Sequence, residues 1–344
     1  MTEVGIRAVG TFTSLGWNAS LTVGAMHAGV QLFDDLSVRA PDGEWLSGAQ
    51  ISFPPNLPVP DRLSTMALCA LGECAEALPP QVALPIVLCL PEVTEFEWDP
   101  ADVMARLVSS SPIALDQHAS RAFPGGRTAI VEALPHALDL LDRGHRDACF
   151  LAGVDSLVTG DRLRQLLREG QVLHGGNPGG FIPGEGAGCV LLTRRPDRGS
   201  FAVLRGFGRG RNPGDGSAAT AAPSPARGLT EAMRQALAAA GLRAADVGHL
   251  LFDFGEKVGF DELALAWSRL PLDGAAEAAE LFGVAQWIGE TGAAAGVLEI
   301  ATAAFLMDKS AMPRPAMITF TGAGLSRGAA VLCPQSNRKR NDHG

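Results

Sequence analysis

The fold class predicted is α/β, built from two similar halves. Three observations lead to it. Strand-like and helix-like segments alternate from end to end. Several strand-like runs, among them LPIVLCL and ACFLAGVD, are apolar throughout instead of alternating. The order of elements in the first 200 residues recurs in outline in the remainder, although the residues themselves do not repeat. A strand that is apolar on both faces must be covered on both, so helices are expected on either side of a sheet. At 344 residues, 47% of them hydrophobic, the chain can fill a core of that size.

The elements follow in order. VGIRAVGTF reads as a strand, and SLTVGAMHAGV as a helix with Ser20 as its N-cap. DRLSTMALCALGECAEAL is a periodic helix with Leu63, Ala67, Leu71 and Cys74 on one face. LPIVLCLPE is a buried strand, and DPADVMARLVSS a helix with Pro100 early, where it is tolerated. SPIALDQHA, residues 111–119, reads as the next strand. SRAFPGG then turns into a helix that opens with Arg127 and Thr128, and DACFLAGVDS returns as a strand. DRLRQLLREG is a helix, HGGNPGGFIPGEGAG a Gly/Pro-rich loop and CVLLTRR a strand.

In the second half, SFAVLRGFGRG is a strand and NPGDGSAATAAPSP a long loop of small residues. ARGLTEAMRQALAAAGL is a helix with Gly241 as its C-cap. VGHLLFDFGE is a strand, FDELALAWSRL a helix and GAAAGVLEIATAAFLMDK a buried helix, and PAMITFTGAGLSRGAAVLCP closes the chain as a hairpin. The expected division is 1–200 for the N-terminal half and 201–335 for the C-terminal half. Residues 336–344, with Arg338, Lys339 and Arg340, read as a solvated basic tail.

Composition narrows the function classes. A net charge of −9 argues against a nucleic-acid surface, which needs a basic face. There is no apolar run long enough for a membrane span. MTEVGIRAVG lacks the basic and apolar regions of a signal peptide, so a cytoplasmic protein is expected. The six cysteines are spaced wrongly for a metal clip and read as reduced, mostly buried residues. The histidines are scattered. No metal or cofactor is expected.

Two glycine-rich segments stand out. GGFIPGEGAGCVLL (179–192) turns sharply around Glu185 and enters a strand, with Gly184, Gly186 and Gly188 about it. GETGAAAGVLEIATAA (289–304) leads a loop with Gly289 and Gly292 into a helix of very small residues that includes Gly296. On these segments, on the strand–turn–helix of 120–153 and on the opening AVGTFTSLG, the chain resembles the β-ketoacyl-acyl-carrier-protein synthases. The resemblance runs along nearly the whole chain. It implies a thiolase-like fold: two pseudo-repeated βαβαβαββ halves in a layered α-β-α-β-α arrangement. It also implies a Cys–His–His triad, dimerisation through the strand that leads into the nucleophile turn, and, on that reading, a role for SPIALDQHA as the dimer edge.

Carried over residue by residue, the implied triad is degenerate. The cysteine falls on Arg127, the first histidine on Phe254 and the second on Glu290; Ala285 stands where a lysine is usual. Arg127 is no nucleophile, Phe254 has no donor, and an ionised Glu290 would repel an enolate. Cys149, His118 and His136 lie in the same region; Cys149 and His136 read as structural, and so does His118 unless it faces the pocket. A guanidinium at a helix N-terminus opposes the helix dipole and, if buried, needs a partner; the resemblance implies that Glu290 and Glu256 converge there to supply it, the alternative being an Arg127 that points into solvent or a loop.

A closer resemblance, on GEWLSGAQISFP (43–54) and FDFGEKVGFDELALAW (252–267), is to short thiolase-like proteins that accompany type VI secretion effector modules. Three readings follow. The first is an inactive accessory, adaptor or chaperone-like factor for effector loading. The second is a non-catalytic, chain-length-factor-like subunit of a heterodimeric synthase. The third is an acyl-transferring enzyme of altered chemistry. The partners implied are a second copy, a related thiolase-like chain, or a secreted effector or its chaperone.

Overall fold

The computed structural model of the chain describes residues 3–54, 57–78, 83–92, 98–143, 146–213, 226–253, 257–271, 278–322 and 324–335. The first half contains β1 (Val4–Thr13), α1 (Ala19–His27), a ribbon of β2 (Asp34–Arg39) and β3 (Trp45–Gly48), α2 (Val59–Ala75), β4 (Ile86–Leu90), α3 (Pro100–Ser110), β5 (Arg121–Pro124), α4 (Ala129–Asp142), β6 (Ala148–Ser156), α5 (Gly160–Arg168) and β7 (Glu185–Thr193). The second half contains β8 (Ala202–Arg211), α6 (Arg227–Ala240), β9 (His249–Phe252), α7 (Lys257–Ser268), β10 (Glu280–Phe282), α8 (Ala285–Ile288), α9 (Ala295–Asp308), β11 (Ala316–Phe320) and β12 (Ser326–Pro334).

The duplication is visible strand by strand. The first half orders its strands β5-β4-β6-β7-β1, and the second β10-β9-β11-β12-β8. In each, the first two pairings are parallel and the last two antiparallel. The halves join where Val4–Ile6 of β1 pairs antiparallel with Ala202–Leu204 of β8, which makes one continuous ten-stranded sheet.

Three apolar clusters stack the layers. α2 and α3 cover the outer face of the first-half strands. α6 and α7 cover the outer face of the second-half strands. Between the two inner faces lie α4 and α9. α9 is apolar almost all round, as a helix buried on every side must be. Its Gly296 lies so near α4 that a Cβ there would meet Ile130 Cγ2 at 3.0 Å. This is the five-layer α-β-α-β-α arrangement that the resemblance implies.

Some local readings are corrected. Asn18, not Ser20, caps α1; its side chain accepts the Leu21 N–H. Residues 111–119 are not a strand. Pro112 is poorly suited to one, and Asp116 closes a turn by accepting the N–H groups of His118 and Ala119 while pairing with Arg146. Only Leu115 makes a bridge, to Leu84. The strand that leads into α4 is β5, which among the described residues pairs with β4 alone and ends the sheet. Gly241 does cap α6, in the left-handed conformation.

Candidate functional site

One helical turn, Gly126–Thr128, connects β5 to α4, and another, Gly292–Ala294, opens α9. The two lie against each other, so the N-termini of both buried helices meet in one place. Arg127 sits on the first turn and Glu290 just before the second. Their side chains pair, Nη2 to Oε2, at 3.2 Å; Arg127 is 14% exposed and Glu290 not at all. The guanidinium also lies 5.9 Å from the centre of the Phe181 ring.

The glycine-rich segment holds Glu290 in place. The Glu290 N–H donates to Ile182 O at 2.7 Å, and its carbonyl accepts the Gly184 N–H at 2.8 Å. A Cβ at Gly184 would lie 2.1 Å from Ile288 O, so only glycine permits this approach. Gly186 and Gly188 then run along β7 opposite Thr13 and Thr11. Gly289, with φ +68°, turns the chain into Glu290.

Glu185 is buried and fully engaged. Arg62 Nε and Nη2 donate to its two oxygens at 2.6 and 2.5 Å, the Ile51 N–H at 2.7 Å and Ser156 Oγ at 2.7 Å. This ties α2, the segment after β3, β6 and β7 together beneath the site.

Carboxylates satisfy the N-terminus of α9. Glu290 Oε1 accepts the Gly292 N–H at 3.0 Å, and Asp155 Oδ2 the Ala293 N–H at 2.8 Å. Both placements suit the positive end of a helix. Arg127, at the same end of α4, is electrostatically misplaced there, and Glu290 compensates it. Burial pushes Asp155 up to about 6, against the lowering effects of the Ala293 N–H, Arg162 and the Ser156 N–H. Glu299, one turn into α9, accepts the Val284 N–H and is driven well above the usual carboxylate range by burial.

A cavity of about 550 Å³ opens on this place, with Arg127, Glu290, Asp155, Arg162 and Phe181 in its walls. Its described lining contains neither cysteine nor histidine. Thr128 has a hydroxyl there, committed to Gly125 O at 3.0 Å. Cys149 lies buried in β6, where burial pushes its thiol up to about 12. His136 packs its ring on Phe123, and His118 lies in the turn after Asp116. Phe254 and Glu256 lie outside the described residues. The structure therefore brings Arg127 and Glu290 together and sets Cys149, His118 and His136 apart from them.

Asp155 and Arg62 carry much of the geometry and were not singled out from sequence, whereas Phe181 opens the F-x-x-GEGAG run (181–188) on which the resemblance partly rests. Asp155 had a signal, as an acid ending a long apolar strand. Arg62 had one too, since it falls one turn from Met66 on the buried side of α2.

No family model matches the chain, and no curated protein matches it by sequence. Solved structures do. An oxazolomycin ketosynthase domain from Streptomyces albus is 17% identical, with a TM-score of 0.75 over 98% of this chain and 75% of its own. A type II polyketide synthase acyl-carrier protein complexed with its ketosynthase gives 13%, 0.79, 97% and 100%. A ketosynthase with its chain length factor from Xenorhabdus doucetiae gives 16%, 0.70, 97% and 98%. At these identities the likeness is one of architecture, and the chain has the thiolase-like fold of the ketosynthases.

Proposed function

We propose that the chain is a catalytically inactive ketosynthase-like subunit that works by pairing with another thiolase-fold chain. The observation that carries the reading is the Arg127–Glu290 ion pair. By the sequence resemblance it occupies the positions of the nucleophilic thiol and of one imidazole. Decarboxylative condensation needs a thiolate to hold the acyl group and neutral donors to stabilise the oxyanion. A guanidinium bound to a carboxylate supplies neither. The glycine segments and the two apposed helix N-termini keep the frame of such a site without its reacting groups.

Pairing is supported by the exposed hydrogen-bonding edge of β5, which has β4 on one side and no described strand on the other. It is also supported by solved neighbours in which a ketosynthase is joined to a chain length factor. The same edge would serve a homodimer or a heterodimer. The narrower role, loading of type VI secretion effectors, draws only on the resemblance of 43–54 and 252–267, and a cytoplasmic location belongs to the same proposal. Among the described residues, no helix is long and apolar enough to cross a membrane.

The test is purification of the chain with its native partners, followed by mass spectrometry and light scattering. Recovery with a cysteine-bearing thiolase-fold chain is the expected result. Recovery with a secretion spike or effector would move the reading to the adaptor role. A monomer that brings nothing with it overturns both.

A further inference from the structure

Beside the Arg127–Glu290 cavity lies a smaller one of about 110 Å³, between the start of α2, Pro91, Glu92 and Trp98, and the start of α5. Val59, Leu63, Pro91 and Trp98 form its apolar walls. Glu92, Asp155 and Arg162 line both cavities, so the two chambers share a charged partition.

We infer that this smaller chamber binds an organic ammonium group, with the rest of the ligand reaching into the larger chamber. The charge of the partition points that way. Two carboxylates face one guanidinium, and Arg162 Nη1 is committed to Gln165 Oε1 at 2.9 Å. Asp155 is only 3% exposed. Its described hydrogen bonds are two backbone N–H groups, from Ser156 at 2.7 Å and Ala293 at 2.8 Å. A carboxylate offers about four acceptor sites, so roughly half of its capacity is left for a donor in the cavity.

An anion would be repelled by Asp155 and Glu92. A neutral apolar group would desolvate them without compensation. An alkylated ammonium suits both surfaces: its charge faces the carboxylates while its methyl or methylene groups rest on Trp98, Val59 and Leu63. The indole adds cation–π attraction. The chamber's volume is that of a small headgroup, and the ligand's chain would pass the partition toward Phe181. This inference stands whether or not the protein is a subunit of a synthase.

The experiment is calorimetric titration of the full chain with choline and with its neutral isostere 3,3-dimethylbutan-1-ol, at matched ionic strength. Choline should bind more tightly than the isostere by about tenfold or more, as charge recognition requires. Trp98→Leu and Glu92→Gln should each weaken choline by about three- to tenfold and leave the isostere less affected. Both variants are checked for an unchanged urea midpoint, and Glu92 is exposed, so at least that one should fold. Equal binding of the two probes would overturn the inference, as would choline titrating with no heat beyond dilution. So would choline affinity unchanged in both folded variants.

Discussion

Replacing Arg62 by Leu should destabilise the protein far more than loss of a surface ion pair would. The Glu185 side chain is fully buried and that of Arg62 is 8% exposed. The pair is bidentate, at 2.6 and 2.5 Å, and the guanidinium also stacks 4.6 Å from the Phe53 ring centre. Leucine removes both charge-assisted bonds and leaves Glu185 with the Ile51 N–H and the Ser156 hydroxyl. Removing one member of a buried pair costs about 3–5 kcal/mol, whereas an exposed pair is worth about 0–1 kcal/mol. The double variant Arg62→Leu/Glu185→Leu removes both charges but strips the acceptor from two donors, at about 1–3 kcal/mol each. The second substitution should therefore cost much less in the Arg62→Leu background than alone, with a coupling of about 2 kcal/mol or more. Urea unfolding followed by circular dichroism measures this as a shift in midpoint at constant slope. An Arg62→Leu variant within about 1 kcal/mol of wild type, or strict additivity in the cycle, would refute the view that this buried pair anchors the floor of the site.

Other predictions follow from the same geometry. The native pKa of Asp155, about 6, lies above its ordinary value of 3.8. The folded state therefore holds a proton that the unfolded state releases, and stability falls as pH rises through that window. Its contribution should drop by about 1 kcal/mol between pH 5 and pH 7.5, and Asp155→Asn should flatten that part of the urea-midpoint profile. Gly292 has φ +51°, and a Cβ there would lie 2.1 Å from Asp155 Oδ2. Gly292→Ala should cost at least about 2 kcal/mol in the same assay, against a few tenths at a tolerant glycine. If β5 forms the pairing edge, Ala122→Glu should lower the mass measured by light scattering. Ala114→Lys, in the preceding turn, should leave that mass unchanged; the reverse pattern would move the interface away from β5.

Much of the fold was legible because burial on both faces leaves an apolar run that polar residues do not interrupt. β4, β6 and α9 are such runs. β5 was not legible. It has four residues, two of them Arg121 and Pro124, and its place comes from parallel pairing with β4 across a long sequence separation. The β2–β3 ribbon was also missed, although APDGE carries a turn signal and Leu36, Val38 and Leu46 face inward. In the site, the glycine segments were readable because close backbone approach requires them. That a buried Arg127 needs a carboxylate followed from a burial argument, and that Glu290 is the one followed from the family resemblance. The engagement of Glu185 by Arg62, and the raised Asp155, depend on contacts between residues far apart in the chain, which no local pattern encodes.

The most direct test of the central claim is covalent acyl loading. The purified chain, alone and with its native partner, is incubated with radiolabelled acyl-CoA and acyl carrier protein, and the label on each chain is quantified after denaturation. No label should remain on this chain, and Arg127→Cys should not restore turnover, because a thiol without its histidine partners lacks the rest of the machinery. Stoichiometric labelling of the wild-type chain, abolished when one of its cysteines is changed to Ala, would contradict the account.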